Sequence, residues 1–148
     1  MNTLAPVSTI MTTKLITVNP EDKLLVVKEK FDNNRIHHLP VVRYKEIVGI
    51  ISKVDLLSFL KGAASSEENN ESYLNNIRLK NYKAEDIMTT GLAKLESTDR
   101  INVAVEIFKE NLFHAIPVVD DNELVGIVTV HDIIKMVSES EEEKLRIR

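Results

Sequence analysis

The order of hydrophobic and polar positions predicts a mixed fold in which short strands and helices alternate. Residues 15–18 are apolar or β-branched and precede an Asn-Pro turn, which is typical of a strand. Residues 21–34 predict a helix, opened by acidic residues and closed by two asparagines. Its inward positions recur every three or four residues: Leu24, Val27 and Phe31. Residues 38–42 and 47–51 predict a hairpin, and a second helix is expected to start at Ser52.

The same pattern returns in the second half of the chain at a constant offset of 77 positions. The landmark pairs at this offset are Met11 and Met88, His37 and His114, Pro40 and Pro117, Gly49 and Gly126, and Asp55 and Asp132. A register held over about fifty residues indicates an internal repeat. We therefore expect an α/β fold of two β-α-β-β-α units that pack as a pseudo-twofold pair, because one copy alone is too small to bury much core.

The repeat divides the chain into four predicted parts. Residues 1–62 form the first domain, 63–83 a connector, 84–138 the second domain and 139–148 a charged C-terminal tail. The start of the connector is small and polar, which is typical of a mobile link, and its later apolar residues predict a short helix or arm against the second copy. The tail is expected to be a solvated helix end or a frayed tail, rather than an interaction tail.

Composition narrows the class of protein. The chain has 148 residues, 43% hydrophobic and 28% charged, which is ordinary for a soluble globular protein. A net charge of −4 argues against binding to nucleic acid backbones. The absence of cysteine excludes thiolate chemistry. No apolar run is long enough for a membrane helix, and the N-terminus does not resemble a signal peptide, so we expect a cytoplasmic protein without membrane partners.

The sharpest local pattern is Gly-apolar-apolar-Ser/Thr-x-x-Asp, at Gly49 to Asp55 and Gly126 to Asp132. Here a strand leads into a helix whose first N–H groups lack partners, so Ser52 or Thr129 and the following Asp can form a capping box. The same geometry suits a nucleotide, because the helix N-terminus attracts phosphate and a carboxylate can accept both hydrogen bonds of a ribose diol. Capping and binding can coexist.

Three repeated features together resemble the tandem CBS domain pair, also called a Bateman module. They are the IMTT segment, the His-x-x-Pro-Val-Val strand and the Gly-apolar-apolar-Ser/Thr-x-x-Asp helix entry. The resemblance implies two clefts, each of which takes its ribose-binding acid from one copy and its base-facing strand residues from the other. The first cleft would join Ile16, Thr17, Ile36 and His37 to Thr129, His131 and Asp132. The second would join Lys94 and Phe113 to His38, Ser52 and Asp55. Within them, Thr129 and His131 would face phosphate.

These features favour a regulatory sensor over an enzyme. The chain has no nucleophile elbow, phosphate-binding lysine loop or dinucleotide glycine motif. His37 and His38 should point to opposite faces of a strand, so we expect no metal site. The resemblance implies an adenine nucleotide or adenosyl ligand, namely AMP, ADP, ATP or S-adenosylmethionine, with Mg²⁺ only as an ion that accompanies ATP. It also implies allosteric signalling to an effector protein in trans, and a homodimer formed through the helices. The alternative is a dimerisation scaffold with empty clefts, in which the four motif residues serve only as caps.

Overall fold

The computed structural model describes residues 1–61 and 68–147 of the chain. A 3₁₀ turn, Val7–Thr9, precedes ten helices and strands. In chain order they are α1 (Leu24–Asn33), β1 (His38–Arg43), β2 (Glu46–Ser52), α2 (Lys53–Lys61), α3 (Glu68–Asn81), α4 (Ala84–Ile87), α5 (Ile101–Lys109), β3 (Ala115–Asp120), β4 (Glu123–Thr129) and α6 (Val130–Ile147). No helix among the described residues combines the length and apolarity that crossing a membrane requires.

The chain forms two compact units whose bounds differ from those of the repeat. The middle unit comprises Ile16–Gly91, and the outer unit comprises Met1–Leu15 together with Leu92–Arg148. Each unit therefore takes its antiparallel hairpin from one copy and the opening segment, which carries the Met-Thr-Thr sequence, from the other copy. The two copies exchange these segments.

Both predicted hairpins are present, one in each unit. Strand β1 pairs antiparallel with β2, and β3 with β4, with a register shift after Val41 and after Val118. The fold class is the α/β arrangement expected, although the first predicted strand of each copy is reduced to a single parallel bridge, Val18 to Val41 and Leu95 to Val118. These bridges extend each hairpin at one position only.

The start of the first helix is a correction to the prediction. Acidic residues at 21 and 22 were expected to open it, but α1 begins at Leu24. The carboxylate of Asp22 instead accepts a hydrogen bond from the backbone N–H of Asn19 at 2.8 Å, which closes the turn before the helix. The predicted end holds, because the side-chain amide of Asn34 donates to the carbonyl of Lys30 at 2.8 Å.

Each unit has its own hydrophobic core. In the middle unit, α1 and α2 bury their apolar residues against the hairpin, and α3 adds to this core with Leu79, which is 5% exposed. The inward positions predicted for α1 are all buried, since Leu24 and Val27 are 0% and Phe31 is 3% exposed. In the outer unit, Val7 of the N-terminal segment is fully buried in the core of the second copy's hairpin and helices.

The predicted connector contains a helix, but this helix packs on the first copy and not on the second, which corrects the prediction. Residues 62–67, where the mobile link was predicted, lie outside the described residues, but α3 begins at Glu68. The guanidinium of Arg78 donates to the carbonyl of Phe59 at 2.9 Å and lies 4.8 Å from the centre of its ring. Phe59 also meets Tyr82 edge to face at 5.1 Å. These contacts attach α3 to the C-terminal end of α2.

The hairpin turns differ in how well their residues suit the backbone. Tyr44 and Lys45 have φ of 50° and 70°, and Asp121 and Asn122 have φ of 49° and 65°. Both are turns with two left-handed residues, which favour Asn, Asp and Gly. Tyrosine pays a steric penalty there that aspartate and asparagine largely avoid.

We expect Tyr44→Asn to raise the free energy of unfolding by about 0.5–1 kcal/mol, because the left-handed conformation is easier for Asn. Tyr44 is 96% exposed, so little packing is lost. Urea denaturation measures the effect, and Asp121→Asn is the matched control that should change little. A destabilised Tyr44→Asn protein would show that the tyrosine ring stabilises this turn.

Candidate functional site

The strand-to-helix junction of the second copy forms a reciprocal capping box. The backbone N–H of Thr129 donates to Oδ2 of Asp132 at 2.9 Å, and the backbone N–H of Asp132 donates to Oγ1 of Thr129 at 3.2 Å. The hydroxyl of Thr129 also donates to Oδ2 of Asp132 at 3.2 Å. Both side chains are half-buried. This network holds the carboxylate at the start of α6 through Oδ2, and Oδ1 takes no part in the cap.

The junction of the first copy is looser. The hydroxyl of Ser52 accepts the backbone N–H of Asp55 at 2.9 Å, but within the described chain the Asp55 carboxylate accepts no recorded hydrogen bond. Asp55 is exposed, whereas Asp132 is half-buried. The two predicted ribose-binding acids therefore have different surroundings, and the Asp132 carboxylate accepts more hydrogen bonds than that of Asp55.

The exchanged opening segments lie directly against these junctions. Thr12 exchanges two backbone hydrogen bonds with Ile127, at 2.8 and 3.0 Å, and its hydroxyl donates to Oδ1 of Asp132 at 3.4 Å. Thr89 exchanges the equivalent pair with Ile50, at 3.0 and 2.8 Å. The Met-Thr-Thr segment of each copy thus forms one antiparallel β-bridge with a strand of the other copy, β4 or β2. That strand leads directly into the Ser/Thr-x-x-Asp helix start.

Contact with methionine explains the glycine of the motif. A Cβ placed on Gly49 would lie 2.5 Å from Sδ of Met88, and one placed on Gly126 would lie 2.6 Å from Sδ of Met11. Both methionines are half-buried and pack against the core clusters, as expected for a structural role. The glycine is therefore required for packing of the exchanged segment.

A half-open cavity adjoins Asp132 in the outer unit. Its volume is about 310 Å³, and the N-terminal segment forms one side while one face of α6 forms the other. The lining residues are Thr9, Ile10, Met11, Thr12, Asp132, Lys135, Met136 and Glu139. A wider cavity of about 630 Å³ in the same unit includes Lys94, a residue predicted for the second cleft, with Glu96, Asp99 and Asp121. Near it, hydrogen bonds from Ser97 lower the pKa of the Asp120 carboxyl below its usual range.

The other predicted site residues are divided between the two units. Ile16, Thr17, Ile36, His38 and Phe113 are half-buried, whereas His37, Lys94 and His131 are exposed. The carbonyl of His37 accepts the N–H of Lys53 at 2.9 Å, and that of His114 accepts the N–H of Val130 at 3.2 Å. Each predicted cleft draws on both units, so the clefts themselves stay predictions.

Sequence reasoning missed three residues near Asp132. Thr12 belongs to the first copy, and nothing in the spacing indicates that it contacts the second copy's motif. Lys135 and Glu139 line the cavity because they follow Asp132 at helical spacings of three and seven, on one face of α6. The spacing of Asp132, Lys135 and Glu139 on one helix face can be predicted from the sequence. The N-terminal segment that faces them across the cavity cannot. No group of three or more His, Asp or Glu side chains in the described ranges is placed to hold a metal ion.

The chain belongs to the CBS domain family, whose model matches residues 7–62 and 84–139. A relative that matches over most of the chain is an uncharacterized protein of Methanocaldococcus jannaschii, MJ1225. It is 32% identical over 127 residues, which are 84% of this chain and 44% of that protein. This chain therefore spans less than half the length of that relative.

Solved CBS pairs share the fold. The CBS domain pair of protein MJ0100, in complex with 5′-methylthioadenosine and S-adenosyl-L-methionine, is 26% identical, covers 93% of this chain and 98% of its own, and has a TM-score of 0.72. CBSX2 from Arabidopsis thaliana, in complex with AMP, is 24% identical, with coverage of 93% and 98% and a TM-score of 0.73. The chain is therefore a tandem CBS pair in fold and sequence, and these two similar CBS pairs bind AMP in one case and 5′-methylthioadenosine and S-adenosyl-L-methionine in the other.

Proposed function

We propose that this protein is a regulatory sensor that binds an adenine nucleotide or adenosyl ligand, with Asp132 accepting hydrogen bonds from the ribose diol. The observation that carries the proposal is the position of Asp132. Its carboxylate is held by the capping box, and among the described residues Oδ1 accepts one hydrogen bond, the long one from Thr12 at 3.4 Å. It also lines a cavity of about 310 Å³. A fixed carboxylate beside a cavity is suited to recognise a vicinal diol.

The similar CBS pairs support the ligand class. The pair in MJ0100 binds two adenosyl compounds, and its sequence is 26% identical to this chain. The ligand of this protein is proposed to be AMP, ADP, ATP or S-adenosylmethionine, recognised by residues of both repeats. Mg²⁺ would enter only with ATP. We propose no catalytic role, because binding that favours one conformation is sufficient for a sensor.

The signal is proposed to pass in trans, to an effector protein in the cytoplasm, through a homodimer. Exposed apolar side chains on the second helix of each copy support this surface: Val54 is 70%, Leu57 50%, Ile134 59% and Val137 39% exposed. Leu56 and Leu60, at 2% and 6% exposed, belong to the middle unit's core and are not available. The proposed dimer surface therefore consists of the outward-facing positions of α2 and α6.

A thermal-melting panel tests the proposed function. Ligand that binds only the native state raises the melting temperature by mass action, by an amount that corresponds to about 2.7 kcal/mol at a hundredfold excess over Kd. We expect at least one of AMP, ADP, ATP and S-adenosylmethionine to raise it, while guanine nucleotides do not. Equal shifts with GTP and ATP, or no shift at millimolar ligand, would contradict an adenosyl sensor.

A second candidate function is an interaction scaffold without a ligand. It is favoured by the capping network itself, because Oδ2 of Asp132 already accepts two hydrogen bonds from Thr129. In a scaffold, Leu57→Glu and Ile134→Glu would abolish both assembly and partner binding. In the sensor, the same variants would weaken the dimer but leave ligand binding in each protomer. Sedimentation equilibrium and the melting panel, applied to the same variants, separate the two.

A further inference from the structure

One face of α6 presents alternating charges to the cavity beside Asp132. Asp132, Lys135, Met136 and Glu139 follow one another at helical spacings and line the same cavity as Thr9–Thr12. With a rise of about 1.5 Å per residue, Asp132 and Glu139 are about 10 Å apart along the helix. That length accommodates a ribose that carries a short charged chain.

Two of the three charged side chains in this cavity, those of Lys135 and Glu139, have no partner among the described residues. Neither Lys135 nor Glu139 has a recorded ion pair or hydrogen bond from its side chain among the described residues. Both are exposed, whereas Asp132 is half-buried. The cavity therefore offers one cation between two carboxylates, which can accept a ligand group carrying both signs of charge.

A phosphate suits this arrangement poorly. A phosphate group at neutral pH carries about −1.5 to −2 charges and is normally held by several fixed cations or by Arg. Here a single lysine is flanked by Asp132 and Glu139, which repel an anion. A zwitterion avoids that repulsion, because its carboxylate can pair with Lys135 while its ammonium group pairs with Glu139.

We propose that this cavity binds the α-amino acid tail of an S-adenosyl ligand whose ribose is held by Asp132. The proposal rests on the proposed function and selects one ligand class within it. The carboxylate of the tail meets the ammonium of Lys135, and the α-ammonium group meets the carboxylate of Glu139. Met11 and Met136 supply apolar, polarizable walls for the sulfur and the methylene groups of the tail.

Recognition of the amino acid tail is expected only at the site of the second copy, because the first copy has other residues at the matching positions. The positions that correspond to Lys135 and Glu139, 77 residues earlier, are Ser58 and Gly62. The first copy therefore lacks both charges. A site built on Asp55 has no means to recognise the tail through these positions, so the two sites of the pair are expected to differ in ligand preference.

Isothermal titration calorimetry with three probes tests the proposal. S-adenosylhomocysteine carries the amino acid tail, 5′-methylthioadenosine has the same adenosyl group without it, and AMP has a phosphate. We expect S-adenosylhomocysteine to bind about tenfold or more tightly than 5′-methylthioadenosine, because the tail gains charge-assisted hydrogen bonds. Lys135→Met and Glu139→Gln should each remove most of this advantage and leave 5′-methylthioadenosine affinity unchanged. Ser58→Ala, at the matching position of the first copy, should change neither affinity.

Two results would overturn the proposal while the proposed function stands. One is equal binding of S-adenosylhomocysteine and 5′-methylthioadenosine to the unmodified protein. The other is a Lys135→Met variant that loses AMP affinity but keeps that for S-adenosylhomocysteine, which would assign the lysine to phosphate. If none of the three probes binds, the proposal fails, and the proposed function fails with it when ADP, ATP and S-adenosylmethionine also leave the melting temperature unchanged. Circular dichroism spectra confirm that each variant is folded before its affinity is compared.

Discussion

Gly49→Ala is expected to lower the free energy of unfolding by about 1–3 kcal/mol, the usual cost of overpacking a well-filled site. The added methyl group would lie 2.5 Å from Sδ, 2.7 Å from Cγ and 2.9 Å from Cβ of Met88. Because the clash reaches the root of the side chain, the methionine cannot relieve it by moving its tip alone. The opening segment of the second copy must shift from the hairpin, which strains its backbone bridge between Thr89 and Ile50.

A double-mutant cycle makes this prediction specific to the segment exchange. Met88→Ala should recover a large part of the loss caused by Gly49→Ala, with a coupling of about 0.5–3 kcal/mol between the two sites. Met11→Ala should not, because Met11 packs on Gly126 in the other unit. Urea denaturation of the single and double variants provides the free energies. Rescue by Met11→Ala instead of Met88→Ala would mean that each opening segment packs on its own copy.

Asp132→Asn is expected to weaken binding of 5′-methylthioadenosine by about ten- to a hundredfold, the equivalent of one charge-assisted hydrogen bond or more. In the unmodified protein the backbone N–H of Thr129 donates to the Asp132 carboxylate at 2.9 Å. The capping box should largely survive, because the side-chain carbonyl of Asn can accept the same hydrogen bond. Affinity should therefore fall far more than stability. Calorimetry gives the first quantity and urea denaturation the second.

Asp55→Asn is the matched control for this variant. Asp55 is exposed, and its carboxylate accepts no hydrogen bond from the other described residues. Its replacement should therefore leave the site at Asp132 intact. A protein in which Asp132→Asn binds as tightly as the unmodified chain would remove Asp132 from the site. Equal losses in both variants would indicate two equivalent sites.

The helices, hairpins and helix caps of each copy were largely predictable, because each depends on residues that are near one another in the sequence. The spacing of Leu24, Val27 and Phe31 identified the buried face of α1, and all three are buried. The hairpins and the caps at Ser52 and Thr129 were also predictable, since strand pairing and capping involve neighbouring residues. The CBS resemblance rested on the same motifs, and the family match confirms it.

The segment exchange could not be read from the sequence, and the reason is the repeat itself. Both copies carry the same Met-Thr-Thr segment and the same glycine, so the two pairings satisfy the same local chemistry. Only the path of the chain decides between them. The cavity beside Asp132 escaped prediction for the same reason, because Thr12 reaches it from 120 positions away in sequence.

The early strands show a different limit. Residues 15–18 have the composition of a strand, but only Val18 pairs, through its bridge to Val41. Backbone pairing requires a neighbouring strand in register, and composition alone does not supply one. The predicted start of α1 was wrong for a similar reason. The carboxylate of Asp22 can cap a turn as well as begin a helix, and in the structure it accepts the N–H of Asn19 in the turn.

The central claim is that Asp132 reads the ribose of an adenosyl ligand, and a comparison of 5′-methylthioadenosine with its 2′-deoxy analogue tests it most directly. Calorimetry should show that removal of the 2′-hydroxyl weakens binding to the unmodified protein by about tenfold or more, since one charge-assisted hydrogen bond is lost. In Asp132→Asn the two ligands should bind within about threefold of each other, because the charge that strengthened this bond is gone. Equal binding of the two ligands to the unmodified protein would contradict the account.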